Sequence, residues 1–199
     1  MWIQTIKNAS NLNIDSTSVS IGGLSAGGQM TAVLGHFARD AGIELKLQLI
    51  IVPATDMRYC LKRRELNKTT CPYESVLLYH KAPWGPLGRE QWFLKYWLGD
   101  DDDVQERILT KDWICTPVLA PLFENLARAH IITAEFDLER DEGEYYGHLL
   151  QKAGNHVTMK RYPGMPHAFA HYNHPQRGLS QSFVYIEDTS RLLREVHLG

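Results

Sequence analysis

The chain has 199 residues, of which 44% are hydrophobic and 22% are charged, and its formal net charge at pH 7 is −2. This composition is typical of a globular protein and excludes a disordered, collagen-like or coiled-coil chain. The nearly balanced charge argues against a nucleic-acid partner. The longest apolar run, at residues 47–54, is shorter than the ~20 residues that a membrane helix needs, so we expect no membrane span. The length predicts one domain, residues 1–199.

Cysteine usage suggests a compartment. Cys60, Cys71 and Cys115 are odd in number, and their spacing fits no zinc-binding pattern. We therefore expect reduced thiols in a cytoplasmic protein, with a Cys60–Cys71 disulfide that closes a surface loop as the alternative. The first residues lack the apolar segment of a secretory signal.

The N-terminal quarter predicts alternating helices and strands. Residues 2–13 mix polar and apolar side chains and indicate a helix. Residues 18–21 alternate polar and apolar, which indicates a short strand ended by glycine. From Ala26 to about residue 40, apolar residues recur at helical spacing. The apolar run at 45–52 indicates a strand that is buried on both faces.

The segment 57–115 is less regular, and we interpret it as an insertion with one amphipathic helix at about 88–98. Its charged runs, 62–64 and 100–103, are expected to be exposed loops. The aromatic stripe at 92–97 is expected to be ordinary helix packing, with at most one or two rings reaching substrate; the alternative is that it lines an acyl pocket.

The remaining chain again alternates between strands and helices. Strands are predicted at 129–134 and at 157–162, where Pro163 and Gly164 would end the second one. Helices are predicted at about 142–153 and 180–196. The whole pattern predicts an α/β fold with a mostly parallel sheet flanked by helices.

The most informative peptide is Gly23-Leu24-Ser25-Ala26-Gly27, which matches G-x-S-x-G between a predicted strand and a predicted helix. That context is the one a nucleophile elbow requires. The glycines two residues on either side of Ser25 would let the strand and the helix approach closely. The backbone N–H of Ala26 would be one donor of an oxyanion hole. The alternative is a glycine-rich turn with a structural or phosphate-holding serine.

A serine nucleophile needs a base, and the base needs an orienting carboxylate. Asp137 follows the third predicted strand and His167 follows the fourth, so both would lie at the sheet edge that carries Ser25. Asp141 is the rival of Asp137, although it stands at a predicted helix start, where an N-cap is the simpler role.

Three blocks resemble a known family: Ser25 in G-x-S-A-G-G, residues 134–143, and residues 164–167. Together they look like the hormone-sensitive-lipase-like branch of the α/β-hydrolases, which includes carboxylesterases and arylacetamide-deacetylase-like enzymes. The resemblance runs from about residue 2 to the C-terminus. It implies the α/β-hydrolase fold and hydrolysis of a small-molecule carboxylic ester through an acyl-enzyme, without a cofactor. It also implies that Ser25 is the nucleophile, His167 the general base and acid, and Asp137 the residue that orients the imidazole.

The same family carries an HGG or HGGG oxyanion loop upstream of the serine, and no such motif precedes Ser25 here. We therefore expect the C-terminal portion of a hydrolase, without its N-terminal strands. A truncated, catalytically impaired remnant that acts as a binding module or has no function is the alternative, and acyl transfer on the same residues is another. The strand at 18–21 would then be a sheet edge prone to self-association.

His171 and His174 follow His167 at helical spacing, but no HExxH pattern is present. We therefore predict no metal site and expect these two histidines to be exposed near the mouth of the pocket.

Overall fold

The computed structural model describes residues 2–63 and 65–199, so Arg64 of the basic run lies outside the described residues. At its centre is a parallel sheet in the order β1-β2-β3-β4. The strands are β1 (Ser20–Leu24), β2 (Leu47–Ile51), β3 (Ala129–Phe136) and β4 (Val157–Pro166). The predicted α/β class is therefore confirmed.

Eight α-helices surround or precede these strands among the described residues. They are α1 (Trp2–Lys7), α2 (Ala9–Leu12), α3 (Ala26–Asp40), α4 (Glu74–Tyr79), α5 (Leu87–Leu98), α6 (Asp102–Lys111), α7 (Arg140–Lys152) and α8 (Ser180–Leu198). Short 3-10 helices lie at Met57–Cys60, Pro117–Leu119 and Phe169–His171. The helix predicted over residues 2–13 is thus two short helices. None of the helices in the described ranges combines the length and hydrophobicity needed to cross a membrane.

Side chains alternate between the two faces of the sheet along each strand, and apolar clusters cover both faces. Ile50 and Ile131 pack with Ala32 of α3 and Tyr146 of α7 on one face. The opposite face carries residues of all four strands and packs against α8. Its buried residues include Leu47, Leu49, Ile51, Ile132, Ala134 and Tyr162, and Leu24, Leu192 and Leu193 pack against them. Every residue of β2 is buried, as the apolar run predicts.

The segment between β2 and β3 has its own apolar cluster and is more helical than predicted. Helices α4 and α6 are present in addition to the predicted α5. Cys60, Cys71 and Cys115 belong to this cluster, and within the described residues none of the three forms a disulfide, so the reduced-thiol prediction is confirmed and the disulfide alternative is wrong.

The acidic run at 100–103 is not simply a solvated loop. The carboxylate of Asp101 accepts hydrogen bonds from the backbone N–H groups of Asp103 and Val104, so it caps α6. Acidic residues are favourable there because the N-terminus of a helix carries partial positive charge. Lys62 and Arg63 pair with this acidic segment, Lys62 with Asp100 at 3.1 Å.

Strand β4 also extends beyond its predicted end. Pro163 and Gly164 stay within the strand, and a register irregularity between Ala134 and Phe136 of β3 lets Phe136 pair with Pro166. The prediction that Pro163-Gly164 ends the strand was therefore wrong, because an irregular ladder accommodates residues that a regular one would not. The extension leads directly into His167.

Candidate active site

Ser25 occupies the sharp turn between β1 and α3. Its backbone has φ 58° and ψ −120°, a left-handed conformation that non-glycine residues rarely adopt. The Ser25 N–H donates to the carbonyl of Ile51 at 2.9 Å, which ties the turn to the end of β2. Strain held in place by neighbouring structure is typical of functional turns.

The glycines of this turn have different roles from those predicted. A Cβ on Gly23 would lie 2.3 Å from the carbonyl oxygen of Gly27, so only glycine fits at position 23. A Cβ on Gly27 would meet nothing within 4 Å. The second close approach is instead at Gly28, where a Cβ would lie 2.9 Å from both the Ile51 carbonyl oxygen and Pro53 Cβ. The prediction that Gly27 is required for close approach was therefore wrong, and Gly28 has that role.

The structure brings Ser25, His167 and Asp137 into one chain of hydrogen bonds. His167 Nε2 lies 2.9 Å from Ser25 Oγ, and His167 Nδ1 lies 2.8 Å from Asp137 Oδ2. Asp137 and His167 are buried, with 1% and 7% of their surfaces exposed. Each residue follows a different strand, β1, β3 and β4, so the parallel sheet delivers all three to one edge.

Asp141, the rival carboxylate, lies elsewhere. It is inside α7, which starts at Arg140, and so it is not the N-cap that the sequence suggested. Its Oδ2 instead accepts the backbone N–H of Ser75 at 2.7 Å in the first turn of α4, and its Oδ1 pairs with Arg140. Asp141 therefore ties α7 to α4 and does not orient His167.

Glu139 is a buried carboxylate beside His167 that the sequence reasoning missed. Its side chain is fully buried, and Oε2 lies 3.7 Å from His167 Nδ1. The available signal was an acidic residue two positions after Asp137, in the same strand-to-helix turn. The backbone N–H of Glu139 donates to Asp137 Oδ1 at 3.1 Å, so the turn itself fixes both carboxylates.

A cavity of about 1010 Å³ opens beside Ser25 and His167. Its apolar lining consists of Leu24, Ala26, Met30, Val33, Leu34, Ala54, Met57, Phe93, Leu94, Tyr96, Trp97, Ile114 and Ala168. Its polar lining consists of Ser25, Gln29, Arg89, Glu90, Glu139, His167 and His171. A large apolar cavity with a few convergent polar groups is the usual form of a small-molecule site.

The aromatic stripe of α5 faces this cavity and solvent. Phe93, Tyr96 and Trp97 line the cavity, and 51%, 70% and 48% of their surfaces are exposed. The expectation of ordinary helix packing with one or two rings at the pocket was wrong. Leu94 is the stripe residue that α5 buries against the core, because the helix turns its aromatic side chains away from that face.

Comparison with known proteins identifies the family. A family model described as alpha/beta hydrolase fold matches residues 1–171. The chain belongs to the alpha/beta hydrolase fold family. The resemblance seen in the three sequence blocks is therefore confirmed.

The chain is similar to several named proteins. An AB hydrolase superfamily protein of Schizosaccharomyces pombe is 32% identical over 170 residues, covering 81% of this chain and 44% of that protein. An arylesterase of Saccharolobus solfataricus is 28% identical over 163 residues, covering 81% of this chain and 47% of that protein. A solved esterase of Pyrobaculum calidifontis has a TM-score of 0.79 at 26% identity, covering 99% of this chain and 58% of that one. The chain spans about half the length of the curated relatives it matches.

The electrostatics of the candidate site centre on His167. Burial by itself lowers the pKa of His167, but the carboxylates of Glu139 and Asp137 outweigh it and raise the pKa to about 9. Burial raises the pKa of Glu139 well above its ordinary value, with Glu90 and Asp137 adding to the rise and His167 opposing it. The protonation states of the His167 imidazole and the Glu139 carboxylate therefore depend on each other.

The side chains around His167 could also offer ligands to a metal. Within residues 2–63 and 65–199, Asp137, Glu139 and His167 bring candidate ligand atoms within 4.8 Å of one another. Both ring nitrogens of His167 already have hydrogen-bond partners, so a bound metal would displace Asp137 or Ser25. The arrangement suits proton transfer better than metal binding.

Among the described residues, His171 and His174 are not members of this group of candidate ligands. Both are exposed, as expected from the sequence. His171 lines the cavity, while His174 Nδ1 accepts the backbone N–H of Gln176 at 3.2 Å.

Proposed function

We propose that this chain carries the active site of a carboxylic ester hydrolase. Ser25 is the nucleophile, His167 the general base and acid, and Asp137 the residue that orients the imidazole. The observation that carries the proposal is the unbroken hydrogen-bond chain Ser25 Oγ–His167 Nε2 and His167 Nδ1–Asp137 Oδ2, at 2.9 Å and 2.8 Å. Serine hydrolases activate a weakly nucleophilic hydroxyl through this arrangement of base and carboxylate.

The reaction would proceed in two halves. Ser25 Oγ attacks the ester carbonyl carbon while His167 Nε2 takes the hydroxyl proton, and the C–O bond to the alcohol breaks as His167 returns that proton to the leaving oxygen. Water then attacks the acyl-enzyme, again giving a proton to His167, and Ser25 leaves with it as the carboxylic acid is released. Asp137 holds the Nδ1–H tautomer throughout, and no cofactor is needed.

Helix α3 supports the developing oxyanion. Ala26 is the first residue of α3 and lines the cavity beside Ser25. Backbone N–H groups in the first turn of a helix have no intrahelical acceptor and carry partial positive charge. We assign the Ala26 N–H as one oxyanion donor, an interaction whose loss lowers kcat by about 10²–10³-fold in serine hydrolases.

The substrate class follows from the apolar cavity. Met30, Phe93 and Trp97 provide a surface for an acyl chain or an aromatic group rather than for a charged one. A relative named ethyl acetate hydrolase, from Pseudomonas putida, is 26% identical over 171 residues. We propose esters with small or medium acyl groups as substrates.

The test is hydrolysis of p-nitrophenyl butyrate by the purified chain and by Ser25→Ala. We expect turnover by the wild-type chain and its complete loss in Ser25→Ala, with Ser10→Ala, an exposed serine on α2, unchanged as the matched control. A fluorophosphonate probe should label the wild type and Ser10→Ala but not Ser25→Ala. A folded wild-type chain that neither hydrolyses the ester nor reacts with the probe would contradict the proposal.

A further inference from the structure

Glu139 is a buried carboxylate that the proposed mechanism does not use. Both of its oxygens lack a hydrogen-bond partner among the described residues, although the side chain is completely buried. An ionised carboxylate in such a position is costly unless a charge compensates for it. The nearest positive charge available is a protonated His167, whose Nδ1 is 3.7 Å from Glu139 Oε2.

Charged groups from four directions act on Glu139. Asp137 lies in its own turn, Glu142 in α7 and Glu90 in α5, and all three disfavour a negative charge on Glu139. His167, after β4, favours that charge when it is protonated.

Arg89 of α5 is a permanent cation that interacts with Glu139 and Asp137 and opposes protonation of His167. Its guanidinium is paired with Glu90, whose Oε1 lies 2.7 Å from Arg89 Nη2. Arg89 also donates to the carbonyl of Trp84. Among the titratable groups that act on Glu139, the other carboxylates repel its charge, whereas His167 is the partner of opposite charge, with Nδ1 3.7 Å from Glu139 Oε2.

We propose that Glu139 is a positioning residue that acts through His167, with the two buried groups sharing one proton. The inference rests on the proposed function of His167 as the base. With the proton on Glu139, the imidazole is neutral and its Nε2 can accept the Ser25 proton. With the proton on His167, Glu139 is an anion and Nε2 is occupied. Glu139 therefore determines the pH range over which His167 can activate Ser25.

The experiment measures the ionisation of His167 directly. Histidine labelled with ¹³C at Cε1 is titrated by NMR in the wild type, Glu139→Gln and Glu139→Leu, and the His167 signal is assigned by its loss in His167→Gln. Glu144→Gln is the matched control, since Glu144 is a carboxylate of α7 that pairs with Arg161. We expect the His167 midpoint to fall by about one pH unit or more in both Glu139 variants and to stay unchanged in Glu144→Gln.

The pH dependence of kcat/KM for p-nitrophenyl butyrate provides the second readout. Its acid limb should move to lower pH in Glu139→Gln by the same amount as the NMR midpoint, because the neutral imidazole then persists to lower pH. If Glu139 has only a structural role, Glu139→Gln would lower kcat/KM without shifting the acid limb of its pH profile. That result would overturn the inference.

The NMR outcome is independent of turnover. A shifted His167 midpoint in a chain that hydrolyses no ester would support the shared proton and contradict the proposed function. An unchanged midpoint in both Glu139 variants would overturn the inference even if the chain is a good esterase. A measurement without any variant guards against unfolding: the wild-type Glu139 ¹³Cδ signal should titrate with the same midpoint as His167, and independent midpoints would overturn the proposal.

Discussion

At the scale of single residues, acidic residues that look alike in the sequence have different contacts in the folded chain. Asp137, Glu139 and Asp141 lie within one short peptide, yet each contacts a different part of the molecule. Asp137 accepts from His167, Glu139 faces the same imidazole without a hydrogen bond, and Asp141 binds the start of α4 at Ser75. Their different roles follow from which partner each one meets in the folded chain.

A pair of amide substitutions tests this separation. Asp137→Asn should lower kcat by about 10⁴-fold, because an amide no longer stabilises the imidazolium and favours the wrong tautomer. Asp141→Asn should keep kcat/KM within a few-fold but lower the free energy of unfolding by about 1.5–3 kcal/mol, the usual contribution of a hydrogen bond to a charged group. Steady-state kinetics and urea unfolding of both variants measure the two effects. A large loss of kcat in Asp141→Asn without loss of stability would reverse the assignment.

At the scale of elements, the turn between β1 and α3 determines where the nucleophile is presented. The turn combines the left-handed Ser25, a hydrogen bond to the end of β2 and two glycines that admit no side chain. Helix α3 then starts at Ala26, the residue that follows Ser25. The extended β4 likewise determines where His167 is presented, since the strand continues to Pro166, the residue before it.

Two alanine substitutions distinguish the required glycine from the tolerant one. Gly23→Ala should displace the turn and abolish labelling of Ser25 by a fluorophosphonate, since its Cβ would overlap the Gly27 carbonyl. Gly27→Ala should keep labelling and change the free energy of unfolding by at most about 1 kcal/mol, in the stabilising direction, because alanine favours a helix. Thermal unfolding and probe labelling of the two purified variants decide the matter. Equal labelling of both would contradict this account of the turn.

At the scale of the whole molecule, β1 is an edge of the described sheet and pairs with β2 on one side. Its start is tied to α8, where His197 bonds the hydroxyls of Ser18 and Ser20 at 2.7 Å and 2.8 Å. An edge strand presents backbone N–H and C=O groups that a second chain can pair with. The expectation of self-association therefore stays a prediction for these 199 residues, as does their division into one domain with an insertion at 57–115.

Sedimentation velocity over a range of concentrations tests whether the chain self-associates through the edge strand β1. We expect the wild-type chain to associate as its concentration rises and Ile21→Lys to associate less, because a lysine on an edge strand disfavours pairing between sheets. Ile21 suits this purpose since it is only partly buried on β1. A chain that sediments as a monomer throughout the range would count against the prediction.

The sequence by itself predicted the four strands, the parallel sheet and the meeting of Ser25, Asp137 and His167 at one sheet edge, because these depend on local periodicity, turn chemistry and chain order. The tertiary structure decided which groups surround them. Ser25 and His167 are 142 positions apart, and the requirement for Gly28 arises from its approach to Pro53. The burial of Glu139 against His167 and the turning of the α5 rings toward the cavity are likewise contacts between distant segments. No local pattern encodes such contacts, since they exist only once the sheet has brought its strand ends together.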